Sequence, residues 1–152
     1  MNLQKPYAEI ISTSEMISLA VLYQEIANHT TPAFFNWTEA SALIEIRSAK
    51  NFVIQEDNKI QAFVTFRTYA DRLEIMALGT RPLLLKKGLG LRIFGVLKNY
   101  AKHHSLPIWL EVHEQNRAAI HLYLKSGFTV TRTRKGYYQD GGNALLMTYR
   151  ES

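Results

Sequence analysis

A mixed α/β domain around one sheet is the architecture written into this chain, and three features carry that reading. Asn51 to Gln55, Ile60 to Thr68 and Leu73 to Gly79 are short apolar-rich runs separated by tight turns, as in an antiparallel meander. A helical spacing then appears in Leu91 to His104, where Ile93, Val96, Leu97, Tyr100 and Ala101 fall on one face between two strand-like runs. The chain is 47% hydrophobic over 152 residues, which suits one core and one domain across residues 1–152.

From the N-terminus, Tyr7 to Ser12 reads as a first strand. The hydroxyls of Thr13 and Ser14, with Glu15 behind them, suit the start of a helix running to about Asn28. His29 to Asn36, with Pro32 inside it, is a loop, and Thr38 suits the cap of a second helix, Glu39 to about Ala49. Asp57-Asn58 and Tyr69-Ala70-Asp71 supply the two turns of the meander. In its second strand Ile60, Ala62, Val64 and Phe66 alternate with Gln61, Phe63, Thr65 and Arg67, so both faces are partly covered. Beyond the central helix, Pro107 to His113 is a strand, and Arg117 to Ser126 is a helix with Asn116 as N-cap and Gly127 as stop. Phe128 to Arg134 and Ala144 to Tyr149 are closing strands, joined through Gly136-Tyr137-Tyr138 and Gly141-Gly142.

Composition narrows the chemistry. Zero cysteines excludes disulfides, thiolate metal sites and a cysteine nucleophile, and fits a reducing compartment. The apolar runs are far too short for a bilayer, and Met1 to Pro6 has no apolar signal core, so the expectation is a soluble, cytoplasmic protein with no membrane partner. The net charge of +5 comes from 18 basic against 13 acidic residues, with basic clusters only at Lys86-Lys87 and Arg132 to Lys135. No aromatic–basic ladder accompanies them, so an anionic small molecule explains the charge with fewer assumptions than nucleic acid does. His29, His103, His104, His113 and His121 show no metal-ligand spacing, and no metal is expected.

The richest stretch is Lys86-Lys87-Gly88-Leu89-Gly90, a glycine turn between a strand and a helix. The N–H groups at Gly88, Leu89, Gly90 and Leu91 would lie at a helix N-terminus, where a phosphate or pyrophosphate binds, and the two lysines add positive charge at its lip. In Pro107 to His113, Ile108, Leu110 and Val112 share one strand face and leave Trp109, Glu111 and His113 on the other. Set among apolar neighbours in a central strand, Glu111 would be desolvated, which suits a proton acceptor; it reads equally as a glutamate on a solvated face. Tyr123 forms an i, i+3, i+4 set with Ile120 and Leu124, the pattern of a core tyrosine.

The order and spacing of these pieces resemble the GNAT superfamily of acyl-CoA N-acyltransferases. Within it, LEVHEQNRAAIHLYLKSGF followed by RKGYY and ALLM is similar to the ribosomal-protein-alanine N-acetyltransferase (RimI) group, as is Asn36-Trp37-Thr38-Glu39. The likeness covers nearly the whole chain and is firmest from Leu78 to Met147. It implies a central, mostly antiparallel mixed sheet, splayed at a coenzyme cleft and flanked by about four helices. It implies acetyl-CoA as co-substrate, with Leu78, Gly79 and Thr80 along the pantetheine arm near a β-bulge and the pyrophosphate on Lys86 to Leu91. It places the base at Glu111, with Glu74 as rival, and the acid that protonates the departing thiolate at Tyr123. Asn116 would touch the coenzyme as well as cap its helix, and Trp37, Tyr137 and Tyr138 would stand at the acceptor mouth. The family's pyrophosphate loop usually begins with Gln or Arg; here Leu85 stands at that position.

The implied activity is direct acetyl transfer from acetyl-CoA to a primary amine, in the first instance the N-terminal α-amine of a small-subunit ribosomal protein. The alternatives are the same chemistry on a small-molecule amine and a non-catalytic acyl-CoA-binding module, which Leu85 favours. A ribosome- or RNA-binding module comes third, and direct nucleic-acid binding is not expected.

Overall fold

The computed structural model describes residues 7–84 and 88–151. Its elements run β1 (Ala8–Glu9), α1 (Thr13–Ala27), α2 (Glu39–Ser48), β2 (Lys50–Glu56), β3 (Lys59–Thr68), β4 (Leu73–Thr80), α3 (Leu89–His103), β5 (Ile108–His113), α4 (Arg117–Lys125), β6 (Thr129–Arg134) and β7 (Ala144–Tyr149). The strands form one seven-stranded sheet in the order β1-β2-β3-β4-β5-β7-β6. Every neighbouring pair is antiparallel except β4 and β5, which are parallel because α3 carries the chain back across the sheet between them.

Helix starts follow local chemistry. Ser12, one residue earlier than expected, caps α1: its Oγ accepts the Glu15 N–H at 3.2 Å while the Glu15 carboxylate accepts the Ser12 N–H at 3.3 Å. Three hydroxyls stand in a row here, and the glutamate three residues past Ser12 selects that one. Thr38 caps α2 as expected. The turn at Asp57-Asn58 places both residues at positive φ, 54° and 62°, the mirror-image turn that matches hairpin twist.

The sheet has a core on each face. Under α3 and α4 lie Val64, Phe66, Leu73, Ile93, Phe94, Leu97, Ile108, Phe128 and Met147. Under α1 and α2 lie Leu19, Leu22, Tyr23, Ile46, Val53 and Phe63. Each fully buried phenylalanine contributes ~1.5–3 kcal/mol by leaving water. β3 is therefore covered on both faces, with one departure from strict alternation. Ile54 opposes Ala62 and Gln55 opposes Ile60, so Gln61 is an extra residue. That bulge turns Ile60 onto the α1/α2 face with Phe63, not onto the face of Ala62 and Val64.

A buried polar chain ties α1, α2 and the sheet together. The Tyr23 hydroxyl donates to Thr65 Oγ1 at 2.6 Å, Thr65 donates to Asn51 Oδ1 at 2.8 Å, and Asn51 Nδ2 donates to the Ile46 carbonyl at 2.8 Å. Burial pushes the Tyr23 phenol far above its usual range, so it stays a donor. No helix among the described residues is long and apolar enough to cross a membrane.

Candidate active site

The sheet opens at one place. Across β3 and β4, Thr65 opposes Ala77 and Phe66 opposes Ile75, so Met76 is an extra residue and β4 carries a bulge. The β4–β5 ladder holds only Leu73 opposite Ile108 and Glu74 opposite Trp109. Beyond the bulge the strands part, while β5 stays laddered to β7 as far as His113. The edges of β4 past Ile75 and of β5 past Trp109 thus face each other with no ladder between them. Leu78 packs toward the α3 core, whereas Gly79 turns to the other face. A Cβ on Gly79 would stand 2.5 Å from Ile26 Cδ1 and 2.9 Å from Phe63 Cε1, so what comes close to this glycine is the α1 core. Thr80 ends the strand opposite Ala62.

Past this opening, α3 begins. Gly88 holds φ +78°, a left-handed turn suited to glycine, and among the described residues no side chain caps the first turn of the helix. Gly90 lets α4 approach: an added Cβ would stand 3.0 Å from Leu122 Cδ2. The N-terminus of α3 is a partly positive helix end, suited to an anion. Leu85, Lys86 and Lys87 lie outside the described residues.

On the α1/α2 side, Glu111 is exposed at the centre of β5, with Arg134 Nε 3.7 Å from its carboxylate. Of the two readings of Glu111, desolvated base or glutamate on a solvated face, its exposure matches the second, with Arg134 as its charged neighbour. Glu74 lies at the closed, laddered end, where Arg72 Nε donates to it at 2.8 Å. Tyr138, half-buried, is pushed up to about 12, first by burial and then by the charge of Glu111. Tyr123 is also pushed up to about 12, by burial and then by Tyr138. The Tyr123 ring packs edge-on against Phe94 at 5.5 Å, on the rim of the α3-side core. Asn116 caps α4 through Oδ1, which accepts the Ala119 N–H at 3.3 Å. A cavity of ≈ 760 Å³ opens beside it, lined by His29, Thr31, Phe34, Gln115, Asn116 and Arg117.

Tyr137 meets Tyr138 edge-on at 5.1 Å and carries the Arg134 guanidinium over its ring at 5.4 Å. Trp37 stands elsewhere: it packs edge-on against Tyr23 at 5.5 Å, within the α1/α2 core. The residue of that loop that reaches the tyrosine loop's neighbourhood is Phe34, which meets His113 at 5.2 Å. Sequence reasoning passed over His113 and Asp140. His113 is buried at the end of β5, with Nε2 2.9 Å from an Asp140 carboxylate oxygen and Tyr138 stacked on it at 4.7 Å. The available signal was its place on the same strand face as Glu111. Among the described residues, no three His, Asp or Glu side chains gather as a metal site.

Residues 17–128 match the model of the acetyltransferase (GNAT) family. The chain is 30% identical over 130 residues to the [ribosomal protein bS18]-alanine N-acetyltransferase of Haemophilus ducreyi, covering 81% of this chain and 86% of that one. The crystal structure of the ribosomal-protein-S18-alanine N-acetyltransferase from Escherichia coli superposes with a TM-score of 0.79 at 23% identity, covering 96% of each chain. Salmonella typhimurium yncA, solved with its cofactor acetyl-CoA, superposes with a TM-score of 0.74 at 17% identity, over 96% of this chain and 94% of that one.

Proposed function

We propose that this chain, which belongs to the acetyltransferase (GNAT) family and is an acetyl-CoA-dependent acyltransferase, acts on the α-amine of a protein N-terminus, with the N-terminal alanine of a small-subunit ribosomal protein as leading acceptor. The observation that carries the site is the break in the β4–β5 ladder, which leaves two strand edges unpaired with each other, followed in the chain by a helix start at Gly88 with no side-chain cap among the described residues. The acceptor reading is supported by the similarity to bS18-alanine N-acetyltransferases along most of both chains.

When bound, acetyl-CoA supplies an acetyl thioester. The edge from Leu78 to Thr80 offers backbone groups to an extended amide-bearing arm, as an edge strand does to a peptide. Gly88 to Leu91 offer N–H groups to a pyrophosphate, with Lys86 and Lys87 beside them in sequence. Asn116 adds its Nδ2, since its Oδ1 is held by the helix. Glu111, directly or through water, takes the proton of the attacking amine, and Tyr138 and Tyr137 border the acceptor beside it. Glu74 is the weaker base because Arg72 holds it at the closed end of the ladder.

Tyr123 donates a hydrogen bond from its hydroxyl to the departing sulfur. Its elevation to about 12 against a thiol near 8.5 makes complete proton transfer uphill by ~5 kcal/mol, a wider gap than an ordinary tyrosine would leave. The acceptor's chemistry fits a single carboxylate base: an α-amine near 8 is deprotonated at ~3 kcal/mol less cost than a lysine near 10.4. Expected for Glu111→Gln is a kcat reduced ~10²–10⁴-fold with acetyl-CoA affinity within about twofold of the parent. Full activity in that variant, or an equal loss of coenzyme binding, would remove Glu111 from the role of base.

A further inference from the structure

The 135–143 segment between β6 and β7 carries Tyr137 and Tyr138, and its tip is fastened to the sheet by one buried side chain. His113 Nδ1 accepts the Gln115 N–H at 3.1 Å, which leaves its Nε2 as the hydrogen-bearing nitrogen. That Nε2–H donates to the Asp140 carboxylate, 2.9 Å from Oδ2 and 3.1 Å from Oδ1. Asp140 Oδ1 also accepts the Gly142 N–H at 2.8 Å, so one carboxylate closes the turn and ties it to β5. The imidazole meets two rings from different loops: Tyr138 at 4.7 Å and nearly parallel, and Phe34 at 5.2 Å and tilted. Both ring nitrogens are engaged and the side chain is 1% exposed, so His113 cannot reach an acceptor amine itself.

Gly142 makes the fastening possible. A Cβ there would stand 2.2 Å from His113 Nε2 and 2.4 Å from Cε1, closer than any packing allows. Two further contacts clamp the loop base: the Glu114 carboxylate accepts Asn143 Nδ2–H at 3.0 Å, and Asn143 Oδ1 accepts the Gly136 N–H at 2.9 Å.

We infer that His113 and Asp140 are positioning residues that pin the tyrosine loop and Phe34 over the acceptor end of the cleft, setting affinity for the acceptor and not for acetyl-CoA. The inference deepens the proposed function and rests on it for the identity of the acceptor. His113 joins the loops: Tyr138 stacks on its ring, Phe34 packs against it at a tilt, and Nδ1 anchors the turn that leads to Asn116. Loss of the Asp140 acceptor frees Tyr138 from its stack on His113 and leaves β5, α3 and the open β4 edge intact.

The test uses Asp140→Ala, Asp140→Asn and Gly142→Ala in the full chain, chosen because residues 140 and 142 lie at the loop tip and not in the buried core. Three quantities are read: KM and kcat for a peptide with a free N-terminal alanine, Kd for acetyl-CoA, and amide hydrogen exchange across residues 136–143. Asp140→Ala and Gly142→Ala are expected to raise the peptide KM roughly tenfold, the scale of one hydrogen bond to a charged group, with acetyl-CoA Kd within about twofold. Both should speed exchange in 136–143. Asp140→Asn keeps Oδ1 for the Gly142 N–H but sets an Nδ2 donor against the His113 Nε2–H, so it should recover only part of the affinity and protection. Parental peptide KM and exchange in Asp140→Ala overturns the inference, as does an acetyl-CoA Kd that rises in step with the peptide KM. Should the parent acetylate no peptide, the proposed acceptor fails; exchange and acetyl-CoA Kd then still decide whether His113 and Asp140 pin the loop.

Discussion

Gly79 has two readings that a single substitution separates: a glycine that lets the coenzyme approach the strand, or one that lets α1 approach it. The structure favours the second, since a Cβ at position 79 would stand 2.5 Å from Ile26 Cδ1 and 2.9 Å from Phe63 Cε1. Phe63 is fully buried and cannot retreat, whereas Ile26 is half-buried and ends in a movable methyl. Gly79→Ala therefore overpacks the α1 face, at a cost of ~1–3 kcal/mol. For a domain of this length that lowers Tm by roughly 2–10 °C. Ile26→Val removes the nearer of the two clashing atoms. Alone it costs about 0.5–1.5 kcal/mol, and combined with Gly79→Ala it should recover at least ~0.5 kcal/mol relative to additivity. Urea melts of the four proteins give the cycle, and acetyl-CoA titration of the same samples gives the functional arm. The coupling should appear in stability, with acetyl-CoA Kd tracking the small residual shift of β4. A large loss of acetyl-CoA affinity that Ile26→Val does not relieve, with additive stabilities, would refute the packing argument and return Gly79 to the coenzyme.

Other perturbations have equally definite outcomes. Thr65→Val removes the centre of the Tyr23–Thr65–Asn51 chain and leaves two buried polar groups unpaired, so urea melts should show a loss of ~2–4 kcal/mol with little change in kcat/KM per folded molecule. Gly88→Ala forces a side chain into φ +78°, which should cost about 1 kcal/mol in stability and weaken acetyl-CoA measurably by calorimetry, through a misdirected first turn of α3. Tyr123 is raised in the folded state, so its contribution is complete below pH 10 and is lost as pH climbs toward about 12. Tyr123→Phe should accordingly flatten the fall in stability between those values and lower kcat ~10–100-fold with acetyl-CoA Kd unchanged.

Much of this layout is legible in the residues because the decisive signals are local. The helical stripe from Ile93 to Ala101, the glycine turn at Gly88 and the cap at Asn116 each follow from spacings of a few residues. Parallel pairing of β4 and β5 follows from the helix between them. What was hidden depends on contacts between distant residues. The bulge at Gln61 moves Ile60 to the other face, and nothing in the alternating pattern marks the extra residue. Asp140 meets His113 across 27 positions, and the pair becomes visible only once the β6–β7 loop folds back over β5. Trp37 shares its segment with Phe34, and the loop's path, which composition does not set, decides which of the two meets Tyr23 and which meets His113. The surroundings of Glu111 are likewise set by Arg134, from a strand two places removed in the sheet.

The central claim is acetylation of a protein α-amine, and intact-mass analysis tests it most directly. Two peptides are incubated with acetyl-CoA and the protein, one with a free N-terminal alanine and no lysine, the other with a blocked N-terminus and one lysine. The account predicts an acetyl mass gain on the first alone. A gain on the lysine peptide alone, or on neither across a range of enzyme concentrations, would contradict it and direct attention to small-molecule amines.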